Sequence, residues 1–251
     1  MKKITLLFAG IAACVSLSLR AESQVTVYSQ GQTQTATVSD AQNLAQLVSS
    51  PALAGKTWWP GTVIAEKLAT AAAVQQQQQV MARLKAWSNA LYADGDATLA
   101  AVVDNVLQQV AAVKVTGRQF TNLDPDWVRL RPGANRTLAG DYSVYTLQKP
   151  TTITLAGAIA GSGKTSWLPG RSVVDYLQDH DNLSGAERNV AVLIAPNGEA
   201  SEVPVAYWNR RHVEPEAGSI IYVGFSSWTL PGDSEDLNQQ IVSVLTHRIP
   251  D

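Results

Sequence analysis

Residues 158–165 read AIAGSGKT and carry the spacing of a phosphate-binding loop. Gly163, Lys164 and Thr165 stand where that motif places its glycine, its phosphate lysine and its Mg²⁺-binding hydroxyl, with Ala158 replacing the first glycine. The chemistry needs a helix that starts at the Lys-Thr pair, so that its N–H groups face the phosphates. Here SWLPG follows, and Trp167, Pro169 and Gly170 do not open a helix. Helical spacing resumes only after Arg171. The stretch therefore reads as a Gly-rich hairpin turn with Lys164 on a solvated strand edge, and no nucleotide site is expected.

Other residues capable of chemistry are sparse. There is no G-x-S-x-G elbow. The three histidines, His180, His212 and His247, lack a second His or Cys at ligand spacing, so neither a metal nor another cofactor is expected. DHD (179–181) and DPD (124–126) read as solvated loop or turn residues. Arg118 in VTGR is a stronger candidate, because its guanidinium can hold a carboxylate or polar ligand, or pin two domains together. A plain structural arginine is the alternative. Trp outnumbers Phe seven to three, so Trp58, Trp59, Trp127, Trp167, Trp208 and Trp228 are conceivable sugar platforms, although packing accounts for most such residues. YWNRRHVEPEAGS (207–219), with Arg210, Arg211 and His212, reads as a partner surface or a solvated loop.

The elements that must position these residues can be read from periodicity. QVTVYSQGQTQTATVS (24–39) alternates as a hairpin, and Ser39 and Asp40 offer caps for a helix over AQNLAQLVSS that ends at Pro51. From residue 62 the period becomes 3.6. Two Ala/Gln/Leu-rich helical runs broken by DGD (94–96) predict a helical hairpin over about 62–114. KVTGRQF, DPDWVRLR and GDYSVYTL are strand candidates. TTITLAGAIA, a turn, an amphipathic helix over RSVVDYLQDH, and strands with Asn197-Gly198 as a hairpin turn then repeat the first order. The chain divides into 22–148, containing the helical insert, and 149–225. A last amphipathic helix covers 233–251, with Ser234 offered as its cap and Leu237, Ile241, Val244 and Leu245 on one face.

Composition limits the functions available. Of 251 residues, 45% are apolar and 16% charged, enough to bury a core. Lys2 and Lys3 precede the apolar run ITLLFAGIAACVSLSL, predicting a signal peptide at 1–21. IAAC, ending at Cys14, offers the alternative of a lipoprotein anchored to the outer membrane. Removing residues 1–21 leaves 16 basic against 21 acidic residues, net −5, so no nucleic-acid partner is expected. No later segment is apolar enough to span a bilayer. Cys14 is the only cysteine, so the folded part has neither disulfide nor thiolate chemistry.

WWPG (58–61), VTGR (115–118), LDPDWVR (123–129), GRSVVDYL (170–177), PVAYWNRRHVEP (204–215) and QIVSVLTHRIPD (240–251) together resemble the GfcC-type capsule biosynthesis family. The resemblance implies an α+β protein of two tandem β-grasp (ubiquitin-like) domains, a helical hairpin inserted in the first, and a C-terminal helix packed on the second. It also implies a pocket lined by Arg118. The expectation is a periplasmic, monomeric, non-enzymatic accessory protein that binds capsular polysaccharide or outer-membrane export components. Trp58, Trp59, Arg210, Arg211 and His212 would supply surface. The rivals are a polysaccharide-modifying enzyme, which needs a carboxylate pair across a cleft, and a membrane-active module that uses the amphipathic C-terminal face.

Overall fold

A computed structural model describes residues 23–39, 41–53, 57–232 and 234–250. The expected leader with Cys14, and the cap offered by Asp40, lie outside the described residues. The protein is α+β, with two five-stranded sheets. The first half contains β1 (Gln24–Ser29), β2 (Ala36–Ser39), α1 (Leu44–Val48), β3 (Val63–Glu66), α2 (Lys67–Ala93), α3 (Ala97–Ala112), β4 (Arg118–Gln119), α4 (Pro125–Leu130) and β5 (Asp141–Thr146). The second contains β6 (Thr152–Gly157), β7 (Gly163–Ser166), α5 (Val173–Gln178), β8 (Val190–Ile194), β9 (Ala200–Pro204), β10 (Ile220–Val223) and α6 (Leu237–Thr246).

The strand orders are β2-β1-β5-β3-β4 and β7-β6-β10-β8-β9. Counted within its own half, each sheet runs 2-1-5-3-4. In both, the first and last strands pair in parallel at the centre, Val25 opposite Tyr142 and Ile221 opposite Leu155. The alternation in QVTVYS buries Val25 and Val27 against α1, where Leu44, Leu47 and Val48 face inward.

The helices α2 and α3 belong by sequence to the first half, but their apolar stripe lies elsewhere. Val80, Leu84 and Trp87 of α2 and Val103, Val106 and Val110 of α3 share one core with β6, β8, β10 and α6. The Trp87 ring meets Phe225 edge-on, with centroids 4.7 Å apart. Gln109 of α3 clamps the end of β6, accepting from Gly157 N–H at 2.7 Å and donating to the Gly157 carbonyl at 3.1 Å. Arg83 of α2 pairs with Asp236 at the start of α6, 2.8 Å away. Leu237, Ile241, Val244 and Leu245 are all buried in the same core, so the apolar face of α6 packs on the protein body.

Several local expectations are corrected. Val63–Glu66 form a buried strand, and the first long helix starts at Lys67 rather than 62. VIAE is short enough that a run of apolar residues satisfies either period, and pairing with β5 decides it. DPDWVRLR is the helix α4, not a strand. Asp124 accepts from the N–H groups of Asp126 and Trp127, and Pro125 takes the first-turn position where no N–H is needed. Asn43 rather than Ser39 caps α1. Asp236, whose side chain makes no capping bond, stands where Ser234 was expected at α6, which ends at Thr246 rather than 251.

Gly157 holds a left-handed φ of 94° beneath β10, and a Cβ there would sit 1.9 Å from the Val223 carbonyl oxygen. Gly157→Ala is expected to cost at least ~2 kcal/mol, seen as earlier thermal unfolding. Gly133→Ala, with open space around it, is the control and should melt with the wild type. Equal melting of both variants would contradict the close approach.

Candidate functional site

The T-G-R stretch forms a joint rather than a free surface. A Cβ on Gly117 would lie 2.5 Å from both the Glu66 carbonyl oxygen and the Thr70 nitrogen, so only glycine fits against the turn from β3 into α2. Gly117 N–H donates to Thr70 Oγ1 at 3.0 Å, and Glu66 N–H donates to the Gly117 carbonyl at 2.9 Å. The segment just after α6 pairs here too: Val115 bridges Arg248 in antiparallel fashion, and Ile249 N–H reaches the Lys114 carbonyl at 2.7 Å.

Arg118 follows from β4 and is 5% exposed. Its Nη2 donates to the Pro196 carbonyl at 2.6 Å, and its Nη1 to the Thr246 carbonyl at 3.3 Å. Pro196 lies in the β8–β9 turn, and Thr246 ends α6, where a cation meets the negative end of the helix dipole. The Phe120 ring lies 5.8 Å from the guanidinium, and Gly198 leaves room for it: a Cβ there would be 2.8 Å from Arg118 Cζ. One side chain thus ties the first sheet to a turn of the second and to α6. Burial, then the nearby Arg248 guanidinium, pushes its pKa down to about 9, so it remains cationic at neutral pH.

A cleft of about 340 Å³ opens beside this joint. Trp58 and Leu147 line it from the first half, Gln109 and Lys114 from α3 and its exit, and Ser162 and Lys164 from the second half. Trp58 is placed by its N–H, which donates to the Leu147 carbonyl at 3.0 Å. Gly61 packs on its ring, since a Cβ there would fall 2.5 Å from Trp58 Cζ3. The GSGK stretch borders the cleft as a hairpin, with Lys164 opposite Thr154 and Thr165 opposite Ile153. Strand follows turn where phosphate binding would need a helix. No Asp or Glu appears in the described lining.

The candidate residues do not converge. Trp58 lines the cleft and Arg118 lies in the joint. Trp59 packs against the first core, and Arg210 borders a separate polar pocket. Arg211 and His212 are exposed, with His212 Nε2 3.0 Å from Glu214 Oε1. Sequence reasoning missed Gln109 and Lys114. Gln109 is one of many glutamines on these helices, and nothing in its spacing marks it. Among the described residues no cluster of three or more His, Cys, Asp or Glu gathers as a metal site, and no helix is long and apolar enough to cross a membrane.

Two family models match the chain: capsule biosynthesis GfcC, N-terminal, over residues 21–149, and capsule biosynthesis GfcC, C-terminal, over 161–250. An uncharacterized protein of Escherichia coli (strain K12), YjbG, is 46% identical over 233 residues, spanning 93% of each chain.

Truncating Arg118 strands two buried carbonyls and opens a void in the joint. Arg118→Ala is expected to lose about 2–4 kcal/mol and to unfold at lower temperature, with Arg118→Lys intermediate because one ammonium serves fewer directions. The linkage sign is fixed by the lowered pKa. Between pH 9 and the unfolded value the unfolded chain holds the extra proton, so this group's contribution to stability rises with pH there and is flat below. Wild-type melting for Arg118→Ala would show that the joint does not depend on this side chain.

Proposed function

The chain belongs to the GfcC capsule biosynthesis family, and from that premise we propose that it is an exported, non-enzymatic accessory protein of capsule or exopolysaccharide assembly, working in the periplasm and binding polysaccharide in the cleft between its two halves. We read each sheet as a β-grasp domain. The shared 2-1-5-3-4 order with parallel central strands supports this reading, with α2 and α3 as a helical-hairpin insert.

The observation that carries the proposal is the lining of the cleft. An aromatic wall from Trp58 offers an apolar face for a sugar ring, while Lys114 and Ser162 bring donors for its hydroxyls, Ser162 being held by Gln109 Nε2 at 3.2 Å. Hydrolysis of a glycosidic bond uses two carboxyl groups across the bond, ~5–10 Å apart. The described lining offers none, which favours holding a glycan over cutting it. The buried face of α6 likewise favours a soluble scaffold over insertion in a bilayer.

Calorimetry with oligosaccharides cut from the capsular polysaccharide tests the reading. Trp58→Ala is expected to weaken binding about tenfold, near ~1.4 kcal/mol for one aromatic wall, and Trp58→Phe to retain most of it. Mass spectrometry should recover the oligosaccharide unshortened after incubation. Unchanged affinity in Trp58→Ala would remove the cleft from the proposal, and shortened products would replace the accessory role with an enzyme.

A further inference from the structure

A second pocket lies on the second half, away from Trp58 and Arg118. It has a volume of about 320 Å³, within the range of small-ligand clefts, ~300–1,000 Å³. Its floor is apolar, with Val174 and Leu177 from α5 and Val205 after β9. Its rim is polar and carries Tyr207, Arg210, Arg188, His180 and Glu187.

The rim groups have definite chemistry. Tyr207 is 88% exposed, so its ring is open to a ligand. The Arg210 guanidinium lies 5.5 Å from its centroid. Neither Arg188 nor Arg210 has a carboxylate partner among the described residues, and Glu187 Oε1 already accepts from Asn189 N–H at 2.7 Å. His180 Nδ1 sits 2.9 Å from the Ala160 carbonyl oxygen. A carbonyl only accepts, so Nδ1 donates this bond and Nε2 remains for a ligand. Two guanidiniums against one carboxylate make this rim locally positive on a chain of net charge −2.

We propose that this pocket binds an anionic sugar residue, its carboxylate held by Arg188 and Arg210 and its ring resting on Tyr207. Guanidinium forks bind carboxylates through paired N–H bonds. The exposed phenol ring covers the C–H face of the sugar, and His180 Nε2 bonds a hydroxyl, which can donate or accept. The choice of a sugar over another carboxylate rests on the capsule reading above, but the site itself is independent of the cleft.

The test uses the full chain, a galacturonate trisaccharide, and the same trisaccharide with its carboxylates reduced to alcohols. Calorimetry gives affinity, and methyl NMR of Val174 and Leu177 reports the pocket floor. The acidic trisaccharide should shift both methyls, bind at least tenfold more tightly than the reduced one, and weaken as salt rises. Arg188→Gln with Arg210→Gln should cost at least tenfold while leaving thermal unfolding unchanged, since both side chains are exposed. Trp58→Ala should leave the methyl shifts intact. Equal affinity for the reduced sugar, unchanged binding in the double variant, or silent methyls would each overturn the pocket. Silent methyls with binding that falls in Trp58→Ala would leave the cleft standing alone. Binding of neither trisaccharide, nor of the capsular oligosaccharides, would remove both.

Discussion

A helix pair encoded in the first half of the chain completes the core of the second. Val80, Leu84, Val103, Val106 and Val110 have no partner on the first sheet and bury against β6, β8, β10 and α6 instead. Each such side chain taken from water contributes ~1.5–3 kcal/mol, and that energy is available only when both halves are present and in register. The placement of α3 fixes the rest. It sets Gln109 against the backbone of Gly157, delivers Lys114 and Val115 to the chain after α6, and so decides where Arg118 enters the joint.

The joint is held by directed bonds to backbone carbonyls. Arg118 serves Pro196 and Thr246, while Arg248 donates to the carbonyl of Gly218 at 2.7 Å. Arginine suits this work because its donors are fixed in a planar fork and it stays charged when buried. Two guanidiniums close together repel, and burying them is costly, as the lowered pKa of Arg118 records. Such an arrangement specifies geometry more than it adds stability. That distinction explains why a chemically conspicuous arginine sits beside the cleft without lining it.

The sequence made the α+β class and the repeated element order legible, because alternation in QVTVYS and the 3.6-residue period after residue 66 are strong local signals. It also showed that AIAGSGKT lacks the helix start a phosphate loop needs, since SWLPG cannot open one, and Gly163–Ser166 form the strand β7. What it concealed was relational. Gly117 looks like any loop glycine until the β3–α2 turn is placed against it. VIAE, four residues long, has no period of its own. DPDW hides a helix start because Asp-Pro serves turns and helix caps alike. The polar pocket was half visible: Tyr207 and Arg210 stood in a conspicuous run, but Arg188 and His180 come from other loops that only the fold brings together.

The chain after α6 has a bearing on the order of events during synthesis. Val115 finds its partner in Arg248, and Lys114 in Ile249, more than a hundred residues further along. The first sheet can assemble while translation is still under way, because all five of its strands lie before residue 147. The helix pair cannot. From the moment it emerges until β6, β8, β10 and α6 have followed, its apolar stripe lacks its full cover. For that interval the growing chain holds all the strands of its first sheet and an apolar arm whose covering elements are still to come.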